Sequence, residues 1–307
     1  MNTCLLSTSL LLLVTAAGIS CSSGDTTTGG GGGAAATSTS TSTTATSTSS
    51  TSVTSTSSSA ASSSSSSSVT SGSGGSSGEP SCATTGKNLL LCEDFEDYPV
   101  GGVPDPAVWT IDKGAGATVG VDDQQFKHGK HALHLHTLPG ANKALLHETK
   151  TFPLPGGGNS LYGRANVMIG AGLSVPTNHT NFLEASGKVN GQSGNYRYGA
   201  SNAKFLANYN PGDPAKASKT AVPVGVWTCV EWAFLGDTNE MHLWLDGKEL
   251  TDVAVPPGGV NGMIWTAPKF DSFYFGWITY ATDMASDHYD IWYDDIAIDT
   301  ARIGCAE

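Results

Sequence analysis

Two adjacent carboxylates, Asp294 and Asp295, stand inside a C-terminal run of aromatic and β-branched residues, 289–298. Such a run is typical of a buried β-strand, and neighbouring carboxylates without a partner are unfavourable in that setting. We therefore predict a cation beside one of them. Calcium is the candidate, because it binds through several oxygen ligands.

β-Strands must position these carboxylates, because polar and apolar residues alternate through much of 82–307. In the run before the last strand, Phe273, Phe275 and Trp277 would share one face. The Asp246-Gly247 pair between two alternating runs predicts a hairpin turn. The domain has no sustained helical repeat, and Gly and Pro separate its short apolar runs. This pattern predicts an all-β fold, an antiparallel β-sandwich or jelly roll.

The N-terminus has the features of an export signal and a linker. Residues 1–21 contain an apolar run too short to span a bilayer, and Gly18-Ile-Ser-Cys21 resembles a bacterial lipoprotein cleavage site. We predict a lipoprotein signal with Cys21 lipidated, and plain secretion is the alternative. Residues 22–81, almost wholly Ser, Thr, Gly and Ala, predict a disordered linker. The β-domain, 82–307, would then lie at the bacterial cell surface, on the outer membrane, or be secreted.

Four cysteines fall in the β-domain: Cys82, Cys92, Cys229 and Cys305. In an exported domain they indicate two disulfides, for which three connectivities are possible. We favour Cys82 with Cys92 and Cys229 with Cys305; the second bridge would hold the last strand and contribute about 2–5 kcal/mol. A zinc site is the alternative, but the chain has no Cys-x-x-Cys pair.

The formal net charge of -12 and the sequence pI near 4.9 argue against nucleic acid and anionic membrane surfaces as partners. A lipid at Cys21 would be the membrane contact, and we expect a monomer. Residues 188–219 differ from the rest, since their Lys and Arg outnumber the single acid, Asp213. This segment is either a solvated face or a groove for an anionic ligand.

Several motifs follow one another in an order that resembles a known family. They are Asp94-Phe-Glu96, Tyr162-Gly-Arg164, Trp227-Thr-Cys-Val-Glu-Trp232, Leu243-Trp-Leu-Asp-Gly247, Phe275-Gly-Trp-Ile-Thr-Tyr280, Trp292-Tyr-Asp-Asp-Ile-Ala-Ile298 and Arg302-Ile-Gly-Cys305. Together they resemble the core-domain family of the fungal cellulose-induced protein Cip one, which is similar to glucuronan lyases. The resemblance covers nearly all of 82–307. It implies a concanavalin A-like jelly roll, bound calcium and a carbohydrate groove on the concave sheet.

For the calcium ion, the resemblance implies Glu96 and Asp295 as carboxylate ligands and His128 through its main-chain carbonyl. Carboxylates from the first and last strands would thus be tied together by one ion, which would be structural. Asp94 and Asp294 are the nearest alternative ligands, and plain solvated carboxylates are the alternative to a site.

For catalysis, a lyase acting on a uronic acid must neutralise the carboxylate, remove the C5 proton and protonate the departing oxygen. The resemblance implies Arg197, His179 and Tyr209 as the residues that do this. The chain departs from the family at two positions. The family's His two places before this Arg is Asn195 here, and its Gln four places after it is Ser201.

Further residues are expected to contact a sugar through amide groups or through aromatic rings that stack on it. These expected substrate-binding residues are Asn195, Tyr198, Asn202, Asn210, Trp277 and Tyr280.

The function expected is therefore an exported, carbohydrate-active jelly-roll protein that binds an acidic, uronic-acid polysaccharide. Cleavage by β-elimination is the enzymatic hypothesis, with glucuronan lyase as the prototype. A non-catalytic carbohydrate-binding module and a structural surface module are the alternatives. A hydrolase with paired carboxylates is disfavoured, because the strands contain no Glu-x-Asp-x-x-Glu run.

Overall fold

Strands make up almost all regular structure in the computed structural model, which describes residues 82, 88–140, 142–175, 179–280 and 286–305. In chain order, the strands are β1 Leu91–Glu93, β2 Trp109–Lys113, β3 Thr118–Asp122, β4 Ala132–Thr137, β5 Asn142–Glu148, β6 Ser160–Ile169, β7 Thr180–Val189, β8 Gln192–Ser201, β9 Lys204–Asn210, β10 Ala215–Ala221, β11 Thr228–Leu235, β12 Glu240–Leu245, β13 Lys248–Glu249, β14 Lys269–Thr279 and β15 Tyr289–Asp299. A single helical turn, Pro155–Gly157, precedes β6. The predicted signal, its Cys21 and the linker lie outside the described residues.

Two antiparallel sheets form the domain. The eight-stranded sheet has the order β13-β12-β11-β6-β15-β4-β3, with β1 paired to β15, and the seven-stranded sheet has the order β10-β9-β8-β7-β14-β5-β2. The Asp246-Gly247 turn joins β12 to β13, as predicted. No helix among the described residues is long and apolar enough to cross a bilayer.

The core lies between the inner faces of the two sheets. Phe273, Phe275 and Trp277 of β14 are each at most 1% exposed, so the predicted inward face of this strand is confirmed. From the other sheet, Trp232 stacks on Phe273 with ring centroids 5.4 Å apart. Burying such rings removes large apolar areas from water, which is the main favourable term in a sandwich of this kind.

Both favoured disulfides are present, Cys82–Cys92 and Cys229–Cys305. The second closes a loop between residues 76 positions apart and fastens the C-terminal tail to β11. Disulfides are typical of proteins that fold outside the reducing cytosol. One boundary differs from expectation: the first strand ends at Glu93, because Phe95 has a positive φ of 61° and turns the chain, so Glu96 lies in a turn.

Candidate functional site

A groove of about 320 Å³ lies on the outer face of the seven-stranded sheet. It crosses β8, β7, β14, β5 and β2, and period-two alternation directs its polar side chains away from the core. The residues that line the groove are Asp112, Lys143, Leu145, Asn181, Phe182, Leu183, Glu184, Asn195, Arg197, Tyr274, Ile278 and Tyr280.

The centre of the groove is a row of polar residues that runs across the strands. Arg197 of β8 is the register partner of Glu184 of β7, which is opposite Tyr274 of β14, which in turn is opposite His147 of β5. The His147 and Tyr274 rings are stacked with centroids 4.0 Å apart. A ligand lying along this row would cross several strands.

At one end of the groove, Arg197, His179 and Tyr280 come together. The Tyr280 main-chain N–H donates to the His179 carbonyl at 3.3 Å, and the two rings are 5.2 Å apart. Arg197 Nη2 donates to Asp213 at 2.6 Å; the Arg197 side chain is 12% exposed and that of Asp213 69%. Among the described residues, nothing pairs with His179 Nε2 or Arg197 Nε, although both atoms are buried.

The surroundings set the protonation states of His179 and Tyr280 at this end of the groove. Burial lowers the pKa of the His179 imidazole, and the positive charge of Arg197 lowers it further, against an opposing effect of Asp213. Burial raises the pKa of the Tyr280 hydroxyl, which Arg197 partly offsets. At neutral pH, His179 can therefore accept a proton and Tyr280 can donate one.

Three predicted site residues lie on the inner side of the seven-stranded sheet and not in the groove. Tyr198 and Trp277 are at most 1% exposed and pack in the core, so neither ring can stack on a sugar. The Tyr209 hydroxyl donates to the Thr266 carbonyl at 2.8 Å, and its ring stacks on buried Trp265. The catalytic role expected of Tyr209 does not fit this placement and is corrected, because its hydroxyl is held on the inner side of the sheet.

The remaining predicted contacts have different surroundings. Asn195 lines the groove, and Asn210 is its register partner at the end of β9. Asn202 is exposed in the turn between β8 and β9, with a positive φ of 51°. Of the predicted contacts, Asn195 and Tyr280 are thus the ones that line the groove beside Arg197.

The sequence did not single out the polar groove residues Asp112, Lys143, Asn181, Glu184 and Tyr274, nor His147, which stacks on Tyr274. A signal was present for Tyr274, since it alternates with Phe273 and Phe275 and must therefore point outward. For β7 the alternation is interrupted, because the pairing with β8 shifts register between Asn181 and Leu183. A sequence does not reveal where such a bulge lies.

The two carboxylates of β15 are fully buried and face loop 127–131. Asp294 accepts hydrogen bonds from the main-chain N–H groups of Lys127 at 2.8 Å and of His128 at 3.0 Å. Asp295 accepts one from the Asn166 amide at 3.0 Å and contacts the His128 imidazole. Burial and the Asp295 carboxylate hold the pKa of Asp294 well above its ordinary value.

Glu96 contacts the same loop from another side. One of its carboxylate oxygens accepts hydrogen bonds from the Lys130 and His131 N–H groups, both at 2.8 Å. A Cβ atom at Gly129 would lie 2.2 Å from that oxygen, so the loop backbone approaches Glu96 closely. The loop thus connects Glu96 to Asp295. Across the described residues, no three His, Cys, Asp or Glu side chains are arranged to hold a metal ion.

A second polar group, here called the histidine cluster, lies on the outer face of the eight-stranded sheet: His134, His136, Asp122, Asp290 and Trp292. His134 bridges the carboxylates of Asp122 at 3.0 Å and Asp290 at 2.9 Å, and it stacks on Trp292. His136 contacts Asp290 at 2.8 Å. Burial lowers the pKa of His134, but the two carboxylates outweigh burial, so the pKa is raised.

Comparison with known proteins decides the family. The chain matches the family described as "Polysacc_lyase-like: Cip1-like, core domain" over residues 103–301. This chain belongs to that Cip1-like family. Among solved structures, the cellulose-induced protein Cip1 is 23% identical, with a TM-score of 0.58, and the match covers 70% of this chain and 99% of that one. No curated protein matches the chain.

An endo-β-1,4-glucuronan lyase from the fungus Trichoderma reesei is also similar to this Cip1-like chain. It is 14% identical with a TM-score of 0.53, and the match covers 69% of this chain and 96% of that one. The family and the antiparallel jelly-roll sandwich predicted from the sequence are confirmed. At this level of identity, the structural similarity establishes the fold alone.

Proposed function

We propose that this protein is an exported, carbohydrate-active jelly-roll protein whose groove binds a uronic-acid polysaccharide and cleaves it by β-elimination. The observation that carries the proposal is the meeting of Arg197, His179 and Tyr280 at one end of the groove. These residue types are those that β-elimination needs: a cation, a neutral base and a protonated acid. Export is supported by the two disulfides.

In the proposed reaction, Arg197 stabilises the sugar carboxylate as charge develops on it. His179 accepts the proton from C5, and the C5–H electron pair forms the double bond between C4 and C5. The bond from C4 to the glycosidic oxygen breaks, and Tyr280 donates its proton to that oxygen. The Tyr280 hydroxyl takes the acid role for which Tyr209 was expected.

The choice of polymer rests on the similarity to the endo-β-1,4-glucuronan lyase. Incubation with glucuronan, and separately with alginate, tests it by the ultraviolet absorbance of an unsaturated product. Arg197→Ala should reduce both binding and turnover. Product from neither polymer, together with no binding, would contradict the proposed function.

Binding without product would favour the alternative, a non-catalytic carbohydrate-binding module. Two observations support that alternative: Arg197 is already paired with Asp213, and Asn195 and Ser201 stand where the family has His and Gln. A structural surface module without a sugar site would give neither binding nor product.

We further propose that Ca²⁺ binds at loop 127–131 through Glu96, Asp295 and the His128 carbonyl. The donor chemistry fits in that all are oxygens, although main-chain carbonyls would have to complete the shell. Saturating calcium should raise the free energy of unfolding by about 2–4 kcal/mol, and chelator should remove this gain. Equal melting temperatures with calcium and with chelator would contradict it.

For location, we propose a lipid on Cys21 and a Ser/Thr linker that holds the domain away from a bacterial membrane. Mass spectrometry of the mature N-terminus measures the lipid directly. In Cys21→Ser the protein should move from the membrane fraction to the medium, and an unchanged distribution would favour plain secretion of the parent chain.

A further inference from the structure

Glu184 is the negatively charged residue at the centre of the groove, one strand from Arg197. Its carboxylate accepts three side-chain hydrogen bonds: from Asn181 Nδ2 at 3.0 Å, from Asn195 Nδ2 at 3.0 Å and from Ser186 Oγ at 2.5 Å. Glu184 thus holds the two amides that border the Arg197 end of the groove.

An ionised carboxylate only accepts hydrogen bonds, so both amides must present their NH₂ groups to Glu184. The opposite arrangement would place an amide oxygen against a carboxylate oxygen. The amide atoms left over are the Oδ1 carbonyl oxygens of Asn181 and Asn195. Both oxygens are buried, and the part of the chain that the structure describes supplies neither with a donor.

Asn208, the register partner of Arg197 on its other side, follows the same pattern. Its Nδ2 donates to the Pro214 carbonyl at 3.0 Å, and its buried Oδ1 has no donor from the described residues. Asn208 does not line the groove, so the amide oxygens that a groove ligand could approach are those of Asn181 and Asn195. Sugar hydroxyls are donors, whereas a carboxylate is not.

The charges of the groove give the same result. Both cations that line the groove already have a carboxylate partner, Asp213 at 2.6 Å for Arg197 and Asp112 at 2.7 Å for Lys143. Because Asp213 is 69% exposed, a uronate on Arg197 would take its place. Neighbouring strands are about 4.8 Å apart, comparable to the length of one sugar residue. If one uronate lies on Arg197, a second uronate next to it would meet the carboxylate of Glu184.

We propose that Glu184 is a specificity-determining residue. It fixes the amides of Asn181 and Asn195 so that their carbonyl oxygens are the available groups, and the subsite beside Arg197 then selects an uncharged, hydroxyl-bearing sugar. The preferred polymer would then carry uronate and neutral residues in alternation, and glucuronan, which is uronate alone, would be the weaker ligand. This inference rests on the proposed function and specifies its substrate class.

The test compares two oligosaccharides of equal length by isothermal titration calorimetry. One is all glucuronate, and the other alternates glucuronate with N-acetylglucosamine. The wild-type chain should bind the alternating probe at least about tenfold more tightly, the difference expected for hydrogen bonds and charge at one subsite.

Glu184→Gln removes the charge, and the new amide has one oxygen to accept hydrogen bonds from Asn181 and Asn195. The ratio of the affinities for the two probes should therefore fall about tenfold, toward one. The matched control is Glu249→Gln, the same change on the edge hairpin of the other sheet, which should keep the wild-type preference. Binding of both probes with an unchanged ratio in Glu184→Gln would overturn the inference and leave the proposed function intact.

Asn195→Ala tests the inference independently, in case Glu184→Gln fails to fold. It removes one amide oxygen and keeps the Glu184 carboxylate. This variant should bind the alternating probe more weakly than wild type does, with a smaller loss of affinity for the all-glucuronate probe, at an unchanged melting temperature. Equal weakening of both probes would overturn the inference. If the wild-type chain binds neither probe, the proposed function itself fails, and this inference fails with it.

Discussion

The groove and the histidine cluster lie on opposite outer faces of the sandwich and contain similar residue types, yet their bonding differs. In the histidine cluster both ring nitrogens of His134 meet carboxylates, and Trp292 donates its N–H to Asp122 at 3.0 Å. In the groove, His179 Nε2 and Arg197 Nε are buried with no partner among the described residues.

This difference separates a binding site from a structural network. Buried polar atoms without a partner cost free energy, which a ligand can recover by hydrogen bonding to them. A network whose members already hydrogen-bond one another gains no such energy from a ligand. The groove is therefore the candidate for ligand binding, and the histidine cluster for stability.

The largest expected effect is a loss of turnover when the groove is changed. His179→Ala removes the proposed base, so formation of unsaturated product should fall about 100- to 10,000-fold, the usual contribution of general base catalysis. His134→Ala is the matched control and should keep its turnover per folded molecule. Equal losses in the two variants would remove His179 from the catalytic site.

The reverse result is expected for stability. His134→Ala leaves the carboxylates of buried Asp122 and half-buried Asp290 without a shared donor, and urea unfolding should show a loss of about 1–3 kcal/mol of stability. His179→Ala, whose Nε2 has no described partner, should change the free energy of unfolding far less. A larger loss of stability in His179→Ala than in His134→Ala would contradict the assignment of the histidine cluster to stability.

The pH dependence distinguishes the same two histidines. The pKa of His134 is raised in the folded state. Its contribution to the free energy of unfolding is therefore complete below the ordinary pKa of histidine and is lost as pH rises through the raised pKa. The stability difference between wild type and His134→Ala should therefore shrink with rising pH. For His179 the pKa is lowered, so unfolding should become easier as pH falls below its ordinary pKa, and His179→Ala should lack that decline. Urea unfolding across this range measures both.

The smallest effect concerns the inner side of the seven-stranded sheet. The Tyr198 hydroxyl is fully buried, and no described residue pairs with it. Tyr198→Phe should therefore leave stability within about 0.5 kcal/mol or raise it slightly, and sugar affinity should not change. A loss of binding would return Tyr198 to the list of sugar contacts.

Much of the fold could be predicted because its signals are local. Alternation in β14 placed Phe273 and Trp277 on the inner face, and the Asp246-Gly247 pair marked the hairpin. The same rule, applied strictly to β8, would have separated Arg197 from Tyr198, because neighbouring residues of a strand point to opposite faces. The error at Tyr198 was therefore avoidable.

The groove itself was less predictable. Glu184 and Asn181 belong to it because β7 bulges, and His147 stacks on Tyr274 because β5 pairs with β14 in one particular register. Neither feature has a signature in the residue types. The burial of the Tyr209 hydroxyl against the Thr266 carbonyl is equally non-local, since the two residues are 57 positions apart.

By itself, the sequence determined the all-β class, the inner face of β14, the presence of two disulfides and the family, because these follow from period-two alternation, cysteine content and motif order. Only the tertiary structure decided that Arg197, His179 and Tyr280 meet while Tyr209 and Trp277 do not. The physical reason is that a strand fixes which side each residue takes, whereas strand pairing and register fix which residues become neighbours.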